Sequence, residues 1–533
     1  MTDEPTDRPG GESTPRGRRV GLALAAIAVL LALPSLAFPF GRDQGLYFYV
    51  AREWVHRGSL PYRDVLDHKT LGIYVVHALA IVCFGDKLWG IRVFDTLAYM
   101  LVGVFAALVV TPRGEKVRAG LLGASCLVAA VLFVGYLGFW DTAQSEIWYG
   151  MLGLGSCALA GRIRKEGPAA FASGLLSGAA FVMKPPAVWL VLVAVGVLFV
   201  RLRDEHATAW PKRPLLLAAA RFSAGFLLFP GLVAAYFGAH HAIPAMLDII
   251  VGANGYYVQH EKGATSVGEA LTRTQEYVAF YQPASTLGTV LVAAFLFRVR
   301  KVTAEQKRRW GIATALVLAA IGGVAMQQKY YLLHWGVMIP AATVVFVAFL
   351  YELDVRGLFG PSPEKRGLVV VVVLAAAFAS SGAAAQRFYV NTERTLAYVT
   401  GHVERDRYLA TFDMPFMHFS AKDDAQAADY LRAHTTPDDF VTVRGFSPQV
   451  YALAERRHHG RFFWTSFLTQ TSRAYRRPEW LKEDLNALAE KPPKFVVVLR
   501  DEREGPDSAA YFPDYEPRAT FGEHLVLGRK GER

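Results

Sequence analysis

From Val20 onward the chain is a succession of apolar blocks, each closed by a short polar loop. Blocks of roughly 15–25 residues can satisfy every backbone group by crossing a bilayer as helices. That restricts the chain to a polytopic α-helical membrane protein. Hydrophobic residues make up 53% of its 533 residues, and the formal net charge is +11. In a soluble chain that charge would suggest nucleic acid. Here the basic residues gather in the loops between apolar blocks, where membrane orientation requires them, so nucleic acid is excluded as a partner. Cys83, Cys126 and Cys157 lie inside apolar segments without metal-ligand spacing. No disulfide framework and no cysteine metal site are expected.

The loops fix a topology. Residues 1–18 are rich in Pro, Gly and charge and read as a disordered cytoplasmic tail. The run Val20 to Phe38 reads as an uncleaved first span, with a cleaved signal peptide as the alternative. The segment 71–84 would be about 21 Å long as a helix, too short for a core of about 30 Å. It reads as a helix on the outer interface. Further spans are expected near 89–110, 117–138, 146–161, 169–183, 186–201, 214–238, 283–299, 311–326, 332–351 and 367–385, giving about 11 in all. With the N-terminus inside, Arg113, Arg118, Arg162, Arg203, Lys307, Arg308, Arg309, Lys365 and Arg366 all face the cytoplasm. Counting 71–84 as a span would move every later basic loop outside, against the positive-inside rule. The transmembrane domain is thus 19–386, with a first outer loop at 39–88. Residues 387–533 turn soluble in composition. A helix at 421–434 and strands at 440–446, 494–500 and 524–530 indicate a small extracytoplasmic α/β domain.

Short outer loops are normally poor in Lys and Arg. Gly41 to Arg92 nevertheless holds Arg42, Asp43, Arg52, Glu53, Arg57, Arg63, Asp64, Asp67, Lys69 and Arg92. Ionisable groups at the outer ends of spans are functional candidates, and Asp43, Lys69, Asp141, Glu146, Lys184, Lys329 and His334 share that side. Asp43 can act as a general base toward an acceptor, or cap a helix starting near Gly45. Lys69 and Lys184 can hold a phosphate as point charges, or snorkel to the headgroups. Arg92 can fork two bonds to a phosphate, or pair with Asp86 or Asp95. Asp141 and Glu146 offer a second acid; Glu146 also suits the N-terminal dipole of a helix. Lys329, Tyr330, Tyr331, His334 and Trp335 can form an interfacial belt, and His334 can be a packing residue. Asp67 with His68 lacks metal spacing. No metal site is assigned, although Asp43 with Asp141 or Glu146 could hold a hard divalent cation.

The order RDQGLYFYVAREWVHRGSLPYRDVLDHKTLGIYVVHAL…FG…GIR resembles the first outer loop of bacterial polyprenyl-phosphate-sugar glycosyltransferases. These belong to the glycosyltransferase C superfamily, family 39 type, with protein O-mannosyltransferases and lipid A aminoarabinose transferases. The matching positions are Asp43, Gly45, Tyr47, Gly58, Pro61, Tyr62, Lys69, Phe84, Gly85 and Arg92. GLLSGAAFVMKPP is similar to the family's Gly-rich span ending in a Lys, here Lys184. QQKYYLLHWGVMIP is similar to its late outer-loop motif. The resemblance covers roughly 20–350. Two positions depart from it. Many relatives have Asp-Glu after the first span, where this chain has Asp43-Gln44. Many have Lys-Pro-Pro, where this chain has Lys69-Thr70-Leu71.

The resemblance implies the glycosyltransferase C fold and a membrane enzyme of the bacterial cytoplasmic membrane. Such an enzyme takes a sugar from a polyprenyl-phosphate donor on the outer face, by inversion. The acceptor would be an envelope glycan, lipid or protein. Asp43 would be catalytic, with Lys69, Arg92 and Lys184 on the donor phosphate and Asp141 or Glu146 as the second acid. Tyr47, Tyr62, Lys329 and His334 would touch substrate. The rival readings are a secondary transporter and a non-catalytic envelope assembly protein. A transporter predicts repeated halves and charges at the midplane, and neither is seen in the sequence.

Overall fold

Apolar helices in lipid gain little from hydrophobicity against one another, so close contact depends on small side chains. Gly174 and Gly178 show the consequence. A β-carbon on either would lie 2.0 or 2.2 Å from the carbonyl oxygen of Phe222 or Phe226 on the facing helix. A computed structural model describes residues 14–162, 168–205, 212–261, 263–281, 303–355, 362–380, 382–499 and 512–531. The span expected at 283–299 and most of the N-terminal tail lie outside them.

The bundle contains α1 (Pro15–Ala32), α4 (Leu88–Val110), α5 (Ala119–Tyr136), α6 (Ser145–Ala160), α7 (Ala169–Met183), α8 (Val188–Glu205) and α9 (Lys212–Ala239). Two short helices precede α4: α2 (Arg42–Arg57) and α3 (Leu71–Phe84). After α9 the chain folds into α10 (Ile243–Leu247), a π-helical turn (Asp248–Ala253), α11 (Asn254–His260) and α12 (Val267–Tyr281). Then come α13 (Ala304–Gln327), α14 (Met338–Val355), α15 (Pro363–Ser380) and α16 (Gly382–Val399). Among the described residues, seven segments are long and apolar enough to cross a membrane: Pro15–Ala37, Leu88–Val110, Ala119–Tyr136, Pro185–Asp204, Arg213–Ala239, Ala304–Gln327 and Leu332–Asp354. The shorter α6 and α7 pack between them. Leu216, Leu227, Leu232 and Leu318 stay exposed on the outside of the bundle, as lipid-facing residues should. The protein is a multi-pass membrane protein.

The basic loops collect at one end. There Arg113 pairs with Asp204 at 2.8 Å, Arg118 with Asp354 at 2.8 Å, and Arg309 with buried Glu352. At the other end stand α2, α3 and the C-terminal domain. The 14 residues of α3 do not cross the bundle; they pack against α2, α4 and α7. The boundary expected at 386/387 falls inside α16.

The domain holds α17 (Arg405–Ala410), α18 (Ala421–His434), β1 (Val441–Arg444), α19 (Gln449–Ala454), α20 (Ser466–Thr469), α21 (Arg477–Glu490), β2 (Phe495–Leu499), β3 (Tyr515–Phe521) and β4 (His524–Arg529). The sheet order is β1-β2-β4-β3, with β1 and β2 parallel and the other pairs antiparallel. Its first two strands are buried throughout, as expected of strands covered on both faces. The sheet joins the same apolar core as the bundle. Gly45 makes that junction: a β-carbon there would lie 2.4 Å from Gln449 Cα, so α2 meets α19 backbone to backbone.

Candidate active site

Asp43 lies in the first turn of α2, whose N-cap is Gly41. The capping role falls to Gln44 instead: its Oε1 accepts the Gly41 N–H at 2.7 Å. Its Nε2 donates to the carbonyls of Phe139, Trp140 and Thr142 at 2.9, 2.9 and 2.7 Å. An amide can donate there and a carboxylate cannot. That gives a physical reason for an amide after Asp43. Asp43 is left half-buried. Its carboxylate has no hydrogen bond or ion pair among the described residues.

Lys69 faces it from the loop before α3. Its Nζ sits 5.9 Å over the Tyr47 ring and likewise has no ion-pair partner among the described residues. Burial pulls the Lys69 pKa down, but the charges of Asp43, Asp67 and Glu146 outweigh it and hold the group above the ordinary lysine value. The backbone of Lys69 is fixed on both sides. Tyr62 donates its hydroxyl to the Lys69 carbonyl at 3.0 Å, and Thr70 Oγ1 donates to the Met183 carbonyl at 2.5 Å. Tyr62 itself has φ +72°, a conformation rare for an aromatic residue, and its ring is fully buried. Gly72 tightens the same junction, since a β-carbon there would lie 2.4 Å from Met183 Cα. Thr70, at the departure from Lys-Pro-Pro, thereby ties the Lys69 loop to the residue before Lys184.

Lys184 ends α7, just ahead of Pro185 and Pro186, and forms an ion pair with Glu146 in the first turn of α6. The second carboxylate oxygen of Glu146 accepts from Ser145 Oγ at 3.1 Å. Lys69, Lys184, Asp43 and Glu146 are mutually close enough to act on one another's charge. Tyr47 closes the floor, its hydroxyl donating to Gln144 Oε1 at 3.0 Å. His334 is buried with Nδ1 unpartnered, and its charged neighbours are Lys184, Lys69 and Lys329.

Other expected residues take different places. Arg92 is fully buried, and its guanidinium donates to Thr142 Oγ1 and to the carbonyls of Pro39 at 3.2 Å and Phe139 at 3.5 Å. Its donors are directed into the protein, so it braces the 139–142 loop in place of the phosphate contact expected from the sequence. Asp86 pairs with Arg52 at 3.1 Å and His56 at 2.8 Å, not with Arg92. Asp141 is buried in that same loop and accepts only weakly from the Gly138 N–H at 3.4 Å. Burial raises its pKa to about 6, with Asp43 and Glu146 adding to the shift. Lys329 lies with its Nζ 3.8 Å over the Tyr257 ring, and burial lowers its pKa to about 8. Trp335 is fully buried and stacks on Tyr277 at 4.1 Å, so it is a core residue and not part of a belt. Asp43, Asp141 and Glu146 do not form a close metal-ligand cluster among the described residues.

Several residues at the site carried no signal in the sequence. Tyr257 packs on His68 at 5.4 Å, Arg473 lies 4.4 Å over Tyr257, and Glu261 accepts from Ser472 Oγ at 2.8 Å. These contacts hold α11 against the C-terminal domain, above Lys329. Asp67 accepts from Tyr74 and lies 3.0 Å from His68 Nδ1, which makes the pair preceding Lys69 a support for its loop.

No family model matches the chain, and no curated protein matches it. Solved structures do. ArnT from Cupriavidus metallidurans bound to undecaprenyl phosphate aligns with a TM-score of 0.58 at 12% identity, over 96% of this chain and 98% of that one. The apo state of the same enzyme gives 0.55 at 13% identity, over 95% and 97%. The similarity runs through both the bundle and the C-terminal domain, and the chain has the glycosyltransferase C fold.

Proposed function

We propose that the protein is a membrane glycosyltransferase of the bacterial cytoplasmic membrane. It moves a sugar from a polyprenyl-phosphate donor to an acceptor on the outer face. The observation that carries this reading is the Asp43 carboxylate, without a partner among the described residues, near enough to Lys69 and to the Glu146-paired Lys184 to act on their charge. A half-buried acid and a half-buried base left without ion-pair partners, beside the Lys184–Glu146 pair, are costly for the fold alone. They suit a reaction that generates a proton at one point and a phosphate dianion at another. The ArnT structure that the chain resembles contains undecaprenyl phosphate, a ligand of that class.

The acceptor hydroxyl or amine gives its proton to Asp43 as its heteroatom attacks the anomeric carbon. The bond from that carbon to the phosphate oxygen breaks, and polyprenyl phosphate leaves with the electron pair. Attack opposite the leaving group inverts the configuration. Lys69 and Lys184 neutralise the charge growing on the phosphate, the kind of stabilisation that lowers a barrier most. Glu146 keeps Lys184 in place. His334, bare at Nδ1, faces the same cations and is suited to a substrate oxygen. Asp43, Asp141 and Glu146 form no close ligand cluster among the described residues, and turnover with and without chelator tests whether the reaction uses a divalent cation.

The direct test is incubation of purified, lipid-reconstituted protein with labelled polyprenyl-phosphate sugars. Release of polyprenyl phosphate supports the reading. Folded protein that turns over no donor, hexosyl or pentosyl, defeats it.

A further inference from the structure

Among the buried polar atoms of the C-terminal domain that lack a hydrogen-bond partner, three belong to one close group of potential metal ligands. His458 and His459 lie in the loop after α19, and Asp484 lies on α21. All three are buried. His459 Nε2 stands 3.5 Å from Asp484 Oδ1, and the two imidazole rings are 3.9 Å apart. One potential ligand atom from each of the three lies within 4.8 Å of the other two. His458 Nε2, His459 Nε2 and Asp484 Oδ1 all lack a hydrogen-bond partner.

The outer side of each group is held. His459 Nδ1 is 2.7 Å from Thr442 Oγ1, His458 Nδ1 is 3.0 Å from both the N–H and the carbonyl of Gly460, and Arg444 donates to Asp484 Oδ2 at 2.8 Å. Donation from the outer nitrogen leaves the inner lone pair of a metal-binding imidazole bare, and Thr442 Oγ1 and the Gly460 carbonyl can each accept it. Bare polar atoms facing one another in a dry interior are costly. An imidazolium at His459 would answer Asp484 and still leave His458 bare. One divalent cation answers all three.

We propose that His458, His459 and Asp484 bind a single divalent cation of the zinc class. Two imidazoles and one carboxylate suit that ion, with a fourth position left for solvent. Tetrahedral ligands about 2.1 Å from zinc stand about 3.4 Å apart, so the widest pair closes by about 1.4 Å at most. The site lies apart from the Lys69 pocket and is independent of the transfer reaction. It does bear on that pocket's support. The His458 N–H donates to Tyr49 Oη at 2.9 Å, the Arg461 carbonyl accepts the Leu66 N–H at 2.9 Å, and Trp464 Nε1 donates to the Leu66 carbonyl at 3.3 Å. A cation there would fasten the loop that braces α2 and the approach to Lys69.

The test uses the full-length protein, stripped with chelator, equilibrated with Zn²⁺ or Co²⁺ and desalted. About one metal ion per chain is expected, with a visible Co²⁺ spectrum of the four-coordinate type. His459→Gln and Asp484→Asn should each lower retained metal more than tenfold. Chelator should lower the unfolding temperature of the parent and leave that of the variants unchanged. The Co²⁺ spectrum of the parent stands even if a variant fails to fold. Folded parent protein that retains no metal would overturn the proposal, as would equal retention by both variants, which would place the ion elsewhere.

Discussion

At the end of the bundle away from the C-terminal domain, charges stand in pairs. Arg309 meets Glu352 in the interior, while Arg113 and Arg118 reach Asp204 and Asp354 at 2.8 Å each. At the opposite end the Lys184–Glu146 pair lies beside an Asp43 and a Lys69 that have no such partner among the described residues. Even a half-buried charge without a partner carries a desolvation cost that a paired one offsets. The first end is organised to close the structure. The second keeps charge available, which is what a substrate with a charged leaving group requires.

The largest separation between the two ends should come from Asp43→Asn. Turnover of polyprenyl-phosphate sugar should fall by about 10³-fold or more, as loss of a general base allows. Because Asp43 makes no hydrogen bond or ion pair among the described residues, the unfolding temperature should stay within about 2 °C of the parent. Near-parental activity in this variant would remove Asp43 from the chemistry. Lys69→Met comes next, with a loss of about 10²–10³-fold in kcat and no loss of stability. A Lys69→Met protein that binds and turns over donor normally would leave Lys184 alone on the phosphate.

The far end should answer in the opposite currency. Glu352→Gln strands the Arg309 guanidinium and should destabilise by about 3–5 kcal/mol, with turnover per folded molecule unchanged. The smallest effect is the pH response of Asp141. Its folded pKa of about 6 lies above the ordinary value of 3.8, so the fold favours the protonated form. Its contribution is complete below about pH 4 and is lost as pH rises through 6. Asp141→Asn should therefore flatten the stability profile between pH 4 and 6.5 and add up to about 3 kcal/mol at pH 7. Parallel thermal-unfolding profiles for the two proteins would contradict this.

Much of the topology was legible because membrane insertion acts on local features, apolar length and flanking charge. The helix at 421–434 and three of the four strands were readable from periodicity. β3 was not, since its residues alternate weakly and it pairs only at the sheet edge. The stretch between the spans expected at 214–238 and 283–299 carries no span signal, yet its π-helical turn and α11 dock on the C-terminal domain. The harder matter was which charges stay free. Lys69 and Arg92 look alike in sequence, each a base at the start of an apolar helix. What distinguishes them is Thr142, about fifty residues on in the chain, which receives the Arg92 guanidinium and leaves Lys69 without an equivalent. His458, His459 and Asp484 were silent for the same reason, since α21 brings the carboxylate to the histidines only in three dimensions.

The contact at Gly45 bears on how such proteins can be recombined. With Gln449 Cα 2.4 Å from where a β-carbon would stand, α2 and α19 were shaped against each other. A chimera spliced near residue 400 would confront Gly45 with a foreign helix face. It should assemble poorly unless the donor of the domain also contributes α2. The first loop and the distant C-terminal domain thus behave as one module, although about 300 residues lie between them in the chain.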